Sequence, residues 1–149
     1  MKSQIHKKRI YLEKGQSLVE MALTLTIVLT LIAGAFDFGF AFFRYVELRD
    51  AAQEGAIFGS VFPGDEAAII NRIRTSSTLS TVLLNSLDFV NPGESDISIT
   101  GDACTGGVIT VRLVHHYQLT MPFIGAIIGS QTIPLTARVT NTILLPECD

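Results

Sequence analysis

From Met21 to Phe36 the chain runs sixteen residues without a charge, MALTLTIVLTLIAGAF, and after Asp37 the apolar run resumes from Phe38 to Phe43. As helix, Leu18 to Phe43 covers about 39 Å. That exceeds a bilayer core of about 30 Å and places Asp37 near one interface. The helical pattern continues past this run. Arg44 to Ser60 has no proline and spaces Val46, Leu48, Ala52, Ile57 and Phe58 amphipathically. Ala51, Ala52, Gly55, Ala56, Gly59 and Ser60 form a small-residue stripe at helical spacing, suited to close backbone approach. Pro63-Gly64 ends the pattern. One continuous helix from about Ser17 to about Ser60 is therefore expected, roughly 65 Å long by its rise per residue.

The rest reads as shorter elements. Asp65-Glu66 open a second helix with Ile69, Ile70 and Ile73 on one face. The Ser/Thr-rich stretch from Thr75 to Thr81 interrupts it before another short helical turn at Val82 to Leu87. Asn91-Pro92-Gly93 marks a loop. Asp96 to Thr100, Val108 to Leu119 and Thr132 to Leu144 are strand candidates. Between the last two, the apolar segment Met121 to Gly129 is too short to cross a membrane; a core-plugging loop is expected, with a membrane-proximal or partner-facing patch as the alternative. The expected fold class is α+β. A long N-terminal transmembrane helix extends into a small domain with short helices and an antiparallel sheet of about three strands.

Composition agrees with one membrane segment plus one small domain. The 149 residues have a mean hydropathy of +0.41, 48% hydrophobic content and 17% charge. Residues 1–15 hold Lys2, Lys7, Lys8, Arg9 and Lys14 against Glu13, a net of +4. The remainder holds six Arg against thirteen Asp and Glu, a net of −7. The positive-inside bias keeps the basic end cytoplasmic and the acidic bulk outside. Abutting an apolar span, the basic cluster is a topology signal rather than a nucleic-acid site, so membrane lipid and no nucleic acid is the expectation. Cys104 and Cys148 both fall on the outer side, where a disulfide is expected. Its forty-odd-residue loop is worth about 4 kcal/mol in the chain-entropy model. Two unpaired buried thiols are the alternative.

The candidate chemistry sits where the basic head meets the apolar run. Gly15-Gln16-Ser17-Leu18-Val19-Glu20 carries one carboxylate that an ordinary anchor does not need. Such a charge costs on the order of 2.5–3.5 kcal/mol at a span's centre and less near its ends. A cut after Gly15 makes Gln16 the first residue and Glu20 the fifth, the layout of a prepilin-type signal. The new amine at Gln16 lies about one turn from the carboxylate. In a helical bundle the carboxylate of one subunit can meet the amine of the next and fix their register. Removing one partner of such a buried pair costs on the order of 3–5 kcal/mol. In an uncut anchor, Glu20 instead snorkels to the headgroups. Asp37 has two readings as well: a carboxylate reaching water, or a partner for a cation on a neighbouring helix.

No enzyme motif such as G-x-S-x-G, G-x-G-x-x-G or H-E-x-x-H is present, and no cofactor is implied. His115 and His116 are adjacent on a strand and point to opposite faces, so they cannot share a metal ion. One is expected to be packed or hydrogen-bonded and the other solvated.

GQSLVEMALTLTIVLTLIAGAFDFGFAFF followed by YVELRDAAQEGAIFGSV resembles the TadE-like family of tight-adherence (Flp) pilus systems over about residues 15 to 61. The resemblance implies a non-enzymatic pseudopilin or minor pilin, cut by a prepilin peptidase and used in pilus biogenesis. By position, Gly15 precedes the cut, Gln16 is the mature N-terminus and Glu20 is the processing and assembly glutamate. Implied partners are other pilin and pseudopilin subunits and the inner-membrane assembly platform. The organisation is then a cleaved leader (1–15), a transmembrane and projecting helix (16–61) and an extracytoplasmic domain (62–149). Met21 follows the glutamate, where major Flp pilins carry an aromatic residue, and an outer domain is present; both favour an accessory role. Three alternatives compete. Ala33-Gly34-Ala35 fits a secretory cleavage site that would release a chain starting at Phe36. A plain single-pass anchor could carry an outer binding domain. A type II secretion pseudopilin shares the processing logic.

Overall fold

The structure is a computed structural model that describes residues 2–76, 79–89, 94–100 and 106–144. Helix α1 spans Lys2–Val61. It begins well before Ser17, because Lys2 to Lys14 holds no proline or glycine and is rich in residues with good helix propensity. Gly15 costs about 1 kcal/mol relative to alanine, too little to break so long a helix.

Packing divides the chain inside α1, into a unit from Met1 to Phe38 and a unit from Gly39 to Asp149. The first is a bare helix. The second packs the last part of α1 with α2 (Glu66–Arg74), α3 (Thr81–Ser86), α4 (Pro122–Ile128) and the strands β1 (Asp96–Thr100), β2 (Val108–Gln118) and β3 (Thr132–Thr142). The strands form an antiparallel sheet in the order β1-β2-β3, with Ile97 opposite Val111 and Val111 opposite Val139. The α+β class and the three strands agree with the sequence pattern.

The core joins one face of this sheet to the helices. Leu48, Ala51, Ala52 and Ala56 of α1 meet Ile69 and Ile73 of α2, Leu83 of α3, Ile109, Val111 and Leu113 of β2, Ala137 of β3, and Ile143. Each large aliphatic side chain buried this way contributes roughly 1.5–3 kcal/mol. The small-residue stripe provides the close approach expected of it, and does so within this unit. A Cβ on Gly55 would lie 2.5 Å from Ile73 Cγ1, and one on Gly59 would collide with Ile109 Cδ1 and lie 3.0 Å from Ile69 Cδ1. The end of α1 is tied down by the segment just after β3, since Leu144 N–H donates to the Ser60 carbonyl at 2.8 Å. That satisfies one of the carbonyls a helix end leaves without an intrahelical donor.

Local signals explain the short elements. Asp65 caps α2, its Oδ1 accepting from Ala68 N–H at 2.9 Å. Along β2 the alternation holds for Ile109, Val111, Leu113, His115 and Tyr117, all buried. Thr110 and Val114 on the opposite face are buried too, whereas Arg112 is half-buried and His116 exposed there. Thr110 and Thr140 share a hydroxyl hydrogen bond of 3.0 Å across the ladder. The segment Met121 to Gly129 departs from expectation. It folds as α4, started by Pro122 and stopped by Gly129 at φ +82°, with Gly129 N–H donating to the Gly125 carbonyl. Ile128 is 58% exposed, and no residue of the segment with a described side chain joins the core cluster. The Asn91-Pro92-Gly93 loop lies outside the described residues.

Candidate assembly and processing site

Gly15, Gln16 and Glu20 lie within α1 and are all exposed. Together with Val19 and Leu23 they line one shallow surface, as positions three, four and seven apart on a helix must. The Glu20 carboxylate has no hydrogen-bond or ion-pair partner among the described residues. Its backbone carbonyl accepts from the Thr24 hydroxyl at 2.7 Å. Thr26 and Thr30 fold back in the same way onto the carbonyls of Ala22 and Thr26, at 2.8 and 2.7 Å. This disposal of the hydroxyls lets three threonines sit in an apolar span without unsatisfied polar groups.

The apolar side chains from Leu18 to Phe43 are displayed rather than packed. Leu18, Leu31, Phe36 and Phe38 are each more than 60% exposed. Among the described residues one helix segment, Gly15–Val61, is long and apolar enough to cross a membrane, and its most apolar window has a mean hydropathy of 2.1 and no buried part. A single N-terminal helix of this kind is consistent with single-pass anchoring. Asp37 interrupts the display. It is only 5% exposed. Cys104 and Cys148, the expected disulfide pair, lie outside the described residues.

The two histidines separate as their alternation requires. His116 is exposed, with Nε2 3.0 Å from Glu94 Oε1. His115 is buried, with Nδ1 2.7 Å from Ser86 Oγ at the end of α3. Burial, and next the Arg44 guanidinium, hold the His115 imidazole below its ordinary value of 6.5; His116 adds to this and Glu47 opposes it.

Arg44 belongs to a polar cluster that the sequence did not disclose. Its Nη1 donates to Glu47 Oε2 at 2.9 Å and to Ser80 Oγ, and Ser80 Oγ lies 3.4 Å from the same carboxylate oxygen. The three-residue spacing of Arg44 and Glu47 was visible, but nothing local points to Ser80, thirty-six positions away. A second ion pair, Arg72 to Glu54 at 2.7 Å, joins α2 to α1 beside a surface groove lined by Asp50, Gln53, Ile57 and Phe58. Being largely exposed, it contributes at most about 1 kcal/mol.

Residues 15–56 match the family model described as TadE-like protein. The match starts at Gly15 and ends within α1. No curated protein and no solved structure gives a significant match to the chain.

Proposed function

We propose that this chain is a TadE-like pseudopilin or minor pilin that acts in assembly of a tight-adherence pilus and is processed between Gly15 and Gln16. The observation that carries the reading is the coincidence of the family match with the chemistry. The match opens at Gly15, and five residues on stands an exposed carboxylate at the head of an unpacked apolar helix. Apolar surface of this kind is stable in lipid or against other helices, and both environments are available to a subunit that moves from membrane to filament. A prepilin peptidase removes residues 1–15, residues 16–61 form the anchor and packing helix, and residues 62–149 form the extracytoplasmic domain. The N-terminus faces the cytoplasm, as its net charge of +4 favours.

In this reading the amine freed at Gln16 and the carboxylate of Glu20 set the register between neighbouring pilin subunits, on the inner-membrane assembly platform. Asp37 is the second charge within the packing surface, and Cys104 with Cys148 staples the outer domain. Intact-mass and N-terminal analysis of the membrane-extracted protein tests the proposal. A start at Gln16 supports it, whereas Met1 points to a plain anchor and Phe36 to a secretory cut. A Glu20→Ala chain that is processed and assembles normally would refute the register role.

A further inference from the structure

The short helix α3 is held at both ends by side chains of one polar cluster. At its start, the Ser80 hydroxyl does not cap the helix; it is engaged by Arg44 and Glu47 of α1. At its end, Ser86 Oγ meets His115 Nδ1 of β2. Between these ties, α3 is six residues long and contributes one buried side chain, Leu83, with Leu87 buried just beyond it. A helix this short has no stability of its own and persists only by tertiary contact.

We propose that His115 is an acid-sensitive latch: neutral, it holds α3 against β2 and α1, and protonation releases α3. The Ser86 hydroxyl donates to the Leu83 carbonyl at 2.8 Å, so His115 Nδ1 carries the hydrogen of the 2.7 Å contact. An added proton therefore goes to Nε2, which has no hydrogen-bond partner among the described residues. The resulting imidazolium would be buried facing Arg44. Glu47, the one carboxylate acting on it among the described residues, is already engaged by Arg44 and Ser80. From the other elements, β2 offers His116, itself a potential cation, and β3 offers the apolar Leu135 directly opposite. A buried cation without a free counter-charge is relieved by exposure. The element that yields is α3, because β2 is held along its length by β3. The latch does not depend on the pilin reading and stands or falls separately from it.

Hydrogen exchange of the full chain in detergent micelles, at pH 7.5 and 5.0 and normalised to the intrinsic exchange rates, tests the proposal. Both values lie above the ordinary carboxylate range, so histidines dominate the change in protonation. Protection across 81–87 should fall several-fold at pH 5.0, while 108–118 stays protected. His115→Gln should abolish this pH dependence and His116→Gln should retain it. Equal protection of 81–87 at both values in the wild type would overturn the latch, as would persistence of the pH dependence in His115→Gln. Should His115→Gln fail to fold, Ser86→Ala serves instead. Loss of protection across 81–87 at both values, with β2 and β3 still protected, supports the latch, and unchanged protection there rejects it.

Discussion

Gly55 and His115 show how single side chains set the terms of packing in the outer unit. At Gly55 a methyl group would meet Ile73, itself fully buried, so Gly55→Ala trades about 1 kcal/mol of helix propensity for an overpacking cost of typically 1–3 kcal/mol. Net destabilisation should follow, read as a lower urea midpoint. Gly39→Ala, with nothing within 4 Å, should leave the midpoint unchanged or raise it. His115 gives a pH dependence of definite sign. Its pKa is lower folded than unfolded, so the unfolded chain binds more protons as pH falls below the ordinary 6.5. Stability is fully present above that value and declines on acidification until the folded-state pKa is passed. Thermal unfolding at pH 7.5 and 5.0 should show this decline, and His115→Gln should reduce it. The stripe containing Gly55 was legible in the sequence because helical spacing is local. The His115 environment was not, because Arg44 and Ser86 reach it from distant parts of the chain.

Elements were legible to the degree that their signals are local. Strand β1 falls where alternation places it, and β2 and β3 end one and two residues short of the expected Leu119 and Leu144. The helical form of α4 was not legible, because an apolar run of nine residues shows no helical period, and Pro122 with Gly129 set its two ends. The junction between elements also carries load. Just before the start of β1, the Ser95 hydroxyl accepts from Val114 N–H at 3.0 Å, and Ser95 is 2% exposed. Ser95→Ala should therefore leave a buried donor unpaired and cost about 1–3 kcal/mol. Asp65→Ala removes the cap of α2, with an expected loss of about 0.5–2 kcal/mol. Chemical denaturation measures both, and a Ser95→Ala chain as stable as the wild type would mean that water replaces the hydroxyl.

Up to Phe38 the described chain is helix alone, and from Gly39 it forms a unit with its own core. If residues 18–43 anchor it in lipid, washing membranes with alkaline carbonate should leave the protein in the pellet, and its release to the supernatant would reject the anchor. The amino-acid sequence by itself determined the apolar span, the basic head, the carboxylate at Glu20, the α+β class and three strands. These follow from hydrophobic period, charge and turn residues, all of which act within a few positions. Only the tertiary structure decided that the stripe of small residues is used against α2 and β2, and that Arg44, Glu47, Ser80, Ser86 and His115 converge. The physical reason is separation along the chain. Which distant side chains meet is settled by how the helices pack on the sheet, and no local pattern encodes that packing.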